Sequence, residues 1–530
     1  MTRGEDWLLT DAERGNPASG LPAWTNGNLV EPLVHGATYF DRLVTAVEGL
    51  RAGDHLFFTD WRGDPDERLR EDGPTVGQLF ADAARRGVCV RGLVWRSHWD
   101  GMSFSKEENA ALDQEVEDGG GVVVLDQRVR RLGSHHQKFV VLRHVDRPEA
   151  DVAFAGGIDL CHSRRDDAAH RGDPQPQSMS SAYGERPPWH DAQVQLRGPV
   201  VGVLDTVFRQ RWEDPNSPDT DHPFAWLHDR FGRSRMNATP LPDQPPAPPP
   251  CGPHLVQTLR TYPAIRPRYA FAPDGERSVA RGYSKAVRRA RRLIYLEDQY
   301  LWSREVAELF ATALQENPRL HLVVVVPRVP DQEGSVAERP QYVGRFQALE
   351  TCRRAGPDRV HVFDLENHEG TPVYVHAKVC VVDDVWASVG SDNFNRRSWT
   401  HDSELSSAVL DTTLDPREPR DPGGHGDGAR TFARDLRLEL AREHLDRAAD
   451  GSEDDDLIDP ERFVSAVERT AADLQAWHDG GRVGPRPPGR LRPHVTEELS
   501  RATRLWAVPV YRLFDDPDGR PLRLRRSRQF

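Results

Sequence analysis

The sequence predicts an α/β protein built from two similar lobes, packed about a pseudo-twofold axis with one active site between them. In the first half, apolar residues at helical spacing over 40–50 precede an extended apolar run at 56–58. The same order recurs before the run at 293–296, about 238 positions later. Alternating helices and short, β-branched strands predict α/β units whose sheets are largely buried.

The next helix and strand of the first half also have counterparts in the second half. An apolar pair at 79–80 precedes a strand at 88–95, and a similar pair at 309–310 precedes a strand at 322–326. Two unrelated α/β domains would also contain helices and strands, but not in matching places. The repeat therefore favours an internal duplication.

A proline-rich connector separates the two halves. Residues 240–253 contain eight prolines, a density that excludes helix and favours an extended, semi-rigid chain. We expect a first lobe at 1–240, the connector at 241–253, a second lobe at 254–448 and a C-terminal extension without assigned chemistry at 449–530.

The composition limits the partners of the chain. Its 530 residues carry a formal net charge of −13, which disfavours nucleic acid, so that an anionic substrate must meet a local positive pocket. The five cysteines are scattered and show neither a zinc motif nor a disulfide framework. No signal peptide or bilayer-spanning apolar run is evident. We expect a monomeric, cytoplasmic protein, peripheral to a membrane where it meets one, without a transmembrane segment.

Each half contains a His-x-Lys motif at the start of a strand-like run. The first motif is formed by His136 and Lys138, and the second by His376 and Lys378. Residues two apart in a strand lie on the same face, so each motif presents an imidazole beside an ammonium group. The two histidines are about 240 positions apart, close to the offset of the preceding elements. The duplication therefore includes the motif.

Two imidazoles and two ammonium groups at a lobe interface suit displacement at a phosphodiester. One neutral imidazole attacks phosphorus, while the other, protonated, gives its proton to the leaving oxygen. The lysines neutralise charge on the non-bridging oxygens. Opposite protonation states on the two histidines require carboxylates beside them. This chemistry needs neither a metal nor a cofactor, and we expect none.

The motifs and their surroundings resemble the phospholipase D superfamily, whose signature is His-x-Lys-x4-Asp followed by Gly-Ser-x-Asn, in two copies. The second copy matches throughout, with Asp383 and then the run at 390–393. The first copy has Arg143 in place of the aspartate. Blocks at 188–191 and 295–300 are similar to those of eukaryotic-type, lipid-cleaving members.

The resemblance implies two phospholipase D-like lobes that share one active site, and it implies a role for each motif residue. His136 becomes phosphatidylated, and His376 protonates the departing alcohol before water or another alcohol resolves the intermediate. The implied catalytic residues are His136, Lys138, His376, Lys378 and Asp383. The implied substrate-binding residues are Asn393, Ser391 and Asp159.

The resemblance also implies that the carboxylates orienting the histidines come from the opposite lobe. Asp166 is the candidate for His376. For His136 the candidates are Asp402 and the nearby Glu404.

The resemblance favours a phospholipase D that hydrolyses glycerophospholipids to phosphatidic acid and a free head-group alcohol, with transphosphatidylation as a further outcome. A cardiolipin synthase-like phosphatidyltransferase would use the same histidines. A catalytically inactive lipid-binding homologue is the third alternative, since Arg143 could distort the first lobe. If Arg143 instead pairs with Asp146 or Asp151, the His-Lys pair stays intact. In each case the expected partner is a phospholipid at a membrane surface, and a nuclease is disfavoured.

Overall fold

The computed structural model describes residues 4–97, 106–218, 239–331, 335–496, 499–527 and 529–530. Within these ranges the chain forms two α/β lobes of the same topology, which confirms the predicted fold class. No helix in the described ranges is both long and apolar enough to cross a membrane.

The first lobe is a mixed sheet with three parallel strands along one side. Its strands are β1 (Thr25–Val34), β2 (His55–Asp60), β3 (Cys89–Trp95), β4 (Val122–Asp126), β5 (Phe139–Arg143), β6 (Val152–Gly156), β7 (Trp189–His190) and β8 (Ala192–Arg197). The main sheet has the order β4–β3–β2–β5–β6–β8–β1. Strands β4, β3 and β2 run parallel, and the remaining neighbours are antiparallel.

The second lobe repeats this order strand by strand. Its strands are β9 (His254–Tyr262), β10 (Glu276–Arg277), β11 (Leu293–Asp298), β12 (His321–Val325), β13 (Val360–Glu366), β14 (Pro372–Val375), β15 (Lys378–Val382), β16 (Trp386–Gly390) and β17 (Glu404–Asp411). The order is β13–β12–β11–β15–β16–β17–β9. Strand β9 pairs with β1, so equivalent strands join the two sheets, and β7 pairs with β14 in a second crossing.

Helices precede the parallel strands in both lobes and cover the sheets. In the first lobe and before it they are α1 (Gly4–Trp7), α2 (Asp11–Arg14), α3 (Gly36–Glu48), α4 (Val76–Arg85), α5 (Lys106–Asp118) and α6 (Val200–Trp212). In the second lobe they are α7 (Ser278–Arg289), α8 (Arg304–Glu316), α9 (Ser335–Ala355), α10 (Arg396–Thr400) and α11 (Thr431–His444). Helices α3, α4 and α5 thus correspond to α7, α8 and α9.

The two faces of each sheet pack into different cores, as the alternation of side chains along a strand requires. Leu56 and Phe58 of β2 lie in the outer core of the first lobe, under its helices. Phe57, between them, lies in a core that also contains Tyr295 and Val379 of the second lobe. The inner faces of the two sheets therefore share one apolar core, which fixes the lobes relative to each other.

The C-terminal extension packs on the second lobe. It contains α12 (Pro460–Asp479), β18 (Leu491–Pro493), α13 (Arg501–Val510) and α14 (Leu522–Ser527). Strand β18 adds antiparallel to β13. The hydroxyl of Tyr511 donates to the carbonyl oxygen of Trp302 at 2.6 Å, which holds the segment after α13 against the lobe.

Candidate active site

The two His-x-Lys motifs lie at equivalent places, at the starts of β5 and β15, and each is bound to the opposite lobe. The backbone N–H of His136 donates to the carbonyl oxygen of Ser403 at 2.9 Å. The backbone N–H of His376 donates to the carbonyl oxygen of His190 at 2.8 Å. These reciprocal bonds bring both motifs to the lobe interface.

Each histidine ring contacts a carboxylate of the other lobe. Nδ1 of His136 lies 2.9 Å from Oε2 of Glu404, and Nδ1 of His376 lies 2.6 Å from Oδ2 of Asp191. Both carboxylates are fully buried, whereas 16% of the His136 side chain is exposed. A carboxylate at Nδ1 holds the proton there, so Nε2 of each ring is the nitrogen available for reaction.

A glycine makes room for one of these carboxylates. A Cβ atom at Gly157 would lie 2.2 Å from Oδ1 of Asp191, which is closer than any real contact. A residue with a side chain at this position would therefore push Asp191 away from His376.

Each lysine lies beside the histidine of its own motif and has almost no solvent contact. Nζ of Lys138 donates to the carbonyl oxygen of His136 at 3.0 Å and lies 3.3 Å from Oδ1 of Asp159. Nζ of Lys378 donates to the carbonyl oxygen of His376 and, at 3.3 Å, to Oε1 of Gln299. Burial, together with the charge on Lys138, lowers the pKa of Lys378 to about 8.

The cations also act on the histidines. Burial, followed by the charges of Lys138 and Lys378, holds the pKa of His136 well below its usual value. Burial, Lys378 and Arg164 have the same effect on the pKa of His376. Burial raises the pKa of Glu404 well above its usual value and the charge of Lys138 opposes that rise, so that Glu404 and Nδ1 of His136 share one proton between them. The free site therefore holds two neutral imidazoles in a cationic pocket, and a bound anion would favour protonation of one of them.

The predicted substrate-binding residues have different surroundings. Asp159 lies beside Lys138, and its other oxygen accepts from Nη2 of Arg164 at 3.3 Å. Oδ1 of Asn393 is buried and has no hydrogen-bond partner within the described ranges, as expected of a group reserved for a ligand. The hydroxyl of Ser391 donates to Oε2 of Glu404 at 2.6 Å, so this serine positions the carboxylate of His136 instead.

The prediction that Asp166 orients His376 is wrong, because Asp191 occupies that position. Asp166 accepts from the backbone N–H groups of Trp189 at 2.8 Å and Gly172 at 3.1 Å. It thereby shapes the loop that leads to Asp191.

Asp402 does not contact the ring of His136 as Glu404 does. Its carboxylate accepts from the backbone N–H and the hydroxyl of Ser134, at 2.9 and 3.0 Å, and from Arg397. It therefore fixes the segment that leads into the motif.

Asp383 lies at the far end of β15 from the motif, about 16 Å from Lys378 at the usual rise of a strand. Its carboxylate accepts from three consecutive backbone N–H groups, those of Arg291, Arg292 and Leu293. The assignment of Asp383 as a catalytic residue is therefore wrong, since its contacts hold the start of β11 in place.

Arg143, at the place of Asp383 in the first lobe, makes a different set of buried contacts. Its guanidinium donates to Asp151 at 2.7 Å, one of the two expected partners, and to Asp205 at 2.5 Å. It also donates to carbonyl oxygens of the proline-rich connector, at Pro245 and Pro246. The arginine is therefore paired within the first lobe and the connector, and His136 keeps its contact with Glu404.

Three residues at the site were not predicted from the sequence, namely Asp191, Gln299 and Arg164. Asp191 and Gln299 lie in the segments 188–191 and 295–300, which resemble those of the family. That resemblance could have identified both residues as candidates for the site. Arg164 has its guanidinium carbon 3.9 Å from the ring centre of Trp189, which in turn lies 5.1 Å from the ring of His376. Only the folded loop reveals that contact.

Comparisons with known proteins agree with this geometry. A family model described as "Phospholipase D" matches residues 65–236, and one described as "Cardiolipin synthase, PLD-like domain" matches 289–415. Phospholipase D alpha 1 of Cynara cardunculus is 25% identical over 87% of this chain and 69% of its own length. Phospholipase D alpha 1 of Nicotiana tabacum is 26% identical over 84% of this chain and 68% of its own length.

A solved structure with a similar fold is the phosphatidylserine synthase of Haemophilus influenzae. The two chains superpose with a TM-score of 0.50 at 12% identity, over 94% of this chain and 93% of the other. At this identity the similarity concerns the fold alone.

Proposed function

Because this chain belongs to the phospholipase D superfamily, we propose that it is a phospholipase D that converts glycerophospholipids to phosphatidic acid and a free head-group alcohol. The observation that carries the proposal is a reciprocal pair of contacts between the lobes, which join His136 to Glu404 and His376 to Asp191. A buried lysine lies beside each of the two histidines. Such a site offers one nucleophile, one general acid and two ammonium groups that can neutralise the oxygens of a single phosphodiester.

In the first step, Nε2 of neutral His136 attacks phosphorus, and the phosphorus–oxygen bond to the head group breaks. The leaving oxygen takes the proton carried by Nε2 of His376, so the head group departs as a neutral alcohol. The incoming phosphodiester carries one negative charge, which offsets the lysine charges that lower the pKa of His376. Asp191 stabilises the imidazolium through Nδ1.

In the second step, water replaces the departed alcohol. Nε2 of His376 takes a proton from the water as its oxygen attacks phosphorus, and the phosphorus–nitrogen bond breaks, returning the electron pair to His136. Phosphatidic acid is released. A primary alcohol that enters in place of water gives a phosphatidyl-alcohol by the same exchange.

Exposed apolar side chains near the site support a substrate held in a bilayer. The guanidinium of Arg397 donates to the carbonyl oxygens of both Leu132 and Phe514, at 2.8 Å each, so the C-terminal extension lies beside the segment that leads into His136. Leu132 is 37% and Phe514 44% exposed. Other exposed apolar residues of the extension are Leu505, Trp506 and Leu513. Exposed apolar and aromatic side chains beside an active site suit contact with the bilayer interface.

The test incubates the purified chain with mixed phospholipid vesicles and a short primary alcohol, and identifies the products by mass spectrometry. We expect phosphatidic acid together with the phosphatidyl-alcohol. His136→Ala and His376→Ala should each lower both products by about 10³-fold or more. His361→Ala is the matched control, because that buried histidine contacts Glu468 at 2.7 Å, outside the site.

Two other outcomes would contradict the proposal. Cardiolipin as the main product, without phosphatidic acid, would indicate the phosphatidyltransferase alternative. No product from the parent protein, under conditions in which it binds the vesicles, would indicate an inactive lipid-binding homologue.

A further inference from the structure

Three histidines converge on one glutamate behind the active site. Nε2 of His35 lies 2.7 Å from Oε2 of Glu443, while Nε2 of His170 and Nδ1 of His190 lie 2.9 and 3.4 Å from its Oε1. The three rings are fully buried, and the glutamate side chain is 12% exposed. The four ligand-type atoms all lie within 4.8 Å of one another. None of these side chains takes part in the proposed reaction.

The arrangement of the rings matches that around a tetrahedral metal ion. The ring centroid of His35 lies 4.8 Å from that of His170 and 4.9 Å from that of His190, and the latter two are 5.7 Å apart. A metal–nitrogen bond of about 2.0 Å puts a ring centroid about 3.2 Å from the metal, so tetrahedral ligands have centroids about 5.2 Å apart. The observed separations lie on either side of that value.

Two of the three rings also make the outer contacts of metal ligands, whereas the outer nitrogen of His35, Nδ1, is buried without a hydrogen-bond partner in the described ranges. Nδ1 of His170 donates to the carbonyl oxygen of Trp189 at 3.1 Å, which leaves Nε2 as its ligand atom. Nε2 of His190 contacts Oε2 of Glu297 at 2.7 Å, which leaves Nδ1 as its ligand atom. A metal-binding histidine almost always bonds through its second nitrogen to a carbonyl or carboxylate in this way.

We propose that His35, His170, His190 and Glu443 bind one zinc ion in a closed, structural site. Three imidazole nitrogens and one carboxylate oxygen suit zinc rather than calcium or magnesium, which prefer all-oxygen sites. Four protein ligands leave no open position, so the ion has no reaction of its own. Glu443 is the least buried of the four and is the group that rotates to admit the ion.

The site would tie the lobes together at the back of the catalytic centre. His35, His170 and His190 belong to the first lobe, whereas Glu443 lies in the last turn of α11 in the second lobe. The carbonyl oxygen of His190 accepts from the backbone N–H of His376, so an ion that fixes His190 also fixes the catalytic motif. This inference concerns ion binding and does not depend on the proposed lipid reaction.

The test measures the metal content of untagged protein produced in zinc-supplemented medium, by plasma mass spectrometry. We expect one zinc per chain, and X-ray absorption should show a shell of nitrogen and oxygen neighbours with imidazole scattering. Protein stripped with a chelator and reloaded with Co²⁺ should show the strong visible absorption of tetrahedral cobalt. These measurements on the parent chain do not rely on any variant folding.

Variants locate the ion. His35→Gln and Glu443→Gln should lower the zinc content to less than about a tenth of an equivalent. His494→Gln should retain zinc, because that buried histidine contacts Asp364 instead. The inference is overturned if the parent protein binds neither zinc nor cobalt, which would make the cluster a hydrogen-bonded network only. It is equally overturned if folded His35→Gln and Glu443→Gln proteins keep their zinc.

Discussion

Oδ2 of Asp191 in the first lobe lies 2.6 Å from Nδ1 of His376 in the second lobe. The reverse pair joins Glu404 of the second lobe to His136 of the first at 2.9 Å. Because each histidine contacts a carboxylate of the other lobe, neither lobe has a complete histidine–carboxylate pair by itself. The duplication thus produces a single site from two incomplete halves.

Replacing Asp191 tests this dependence. Asp191→Asn keeps the size of the side chain but removes the charge that stabilises protonated His376, so kcat should fall by about 10³-fold or more with KM little changed. Asp54→Asn is the control, because that buried carboxylate also accepts from backbone N–H groups, those of Arg51 and Val145, but lies outside the site. An Asp54→Asn variant that loses as much kcat as Asp191→Asn would contradict the assignment.

Ser391 gives a second test, since its hydroxyl donates to Glu404 at 2.6 Å. Ser391→Ala should lower kcat by about tenfold and leave KM unchanged, because a positioning bond to the carboxylate of His136 is lost. A rise in KM without a loss of kcat would indicate that the serine binds substrate directly. Ser388→Ala is the matched control, since that buried hydroxyl contacts Tyr283 at 3.2 Å and not the site.

Arg143 should matter for stability, because it is fully buried between Asp151 and Asp205 and also binds the connector. Arg143→Asp, which restores the family motif, would place a third carboxyl group beside the buried Asp151 and Asp205, and of these two only Asp205 would keep an arginine partner, Arg209. We expect the free energy of unfolding to fall by about 3–5 kcal/mol in denaturant titrations. Arg147→Ala, which removes a partly exposed pair with Asp54, should cost less than about 1 kcal/mol. An Arg143→Asp protein as stable as the parent would contradict the structural role.

The lobes and the His-Lys pairs could be predicted from the sequence because both depend on local periodicity. The helix and strand order repeats along the chain, and the two-residue spacing of an extended segment places His136 beside Lys138, immediately before β5. Neither inference needs knowledge of how the lobes pack.

The carboxylate that orients His376 could not be identified in the same way, because its position is set by the crossing of β7 with β14. Asp166 and Asp191 are both acidic residues of the first lobe, and only the register of that crossing brings Asp191 to His376. The assignment of Asp383 as a catalytic residue was wrong for another reason. Because Asp383 belongs to the same motif as Lys378, it was expected to lie near that lysine, but the length of β15 separates the two.

The low pKa of Lys378, about 8, predicts the alkaline limb of the pH profile. As the pH rises through 8 the ammonium loses its proton, and with it the charge that attracts the phosphodiester. The value of kcat/KM, which reports groups of the free enzyme, should therefore fall above about pH 8.

The side chain of Lys378 has the opposite effect on the pH dependence of stability. Between about pH 8 and 10 the unfolded chain holds a proton on this lysine that the folded chain has lost, so stability rises with pH there.

Arg stays protonated throughout this range, so Lys378→Arg separates charge from geometry. The variant should be slower, but its kcat/KM should stay constant beyond pH 9. Lys285→Met is the control, because that lysine pairs with Glu13 at 2.7 Å far from the motif, and the alkaline limb should not move. A limb at the same pH in Lys378→Arg as in the parent would show that another group titrates, since only the side chain at 378 differs between the two proteins.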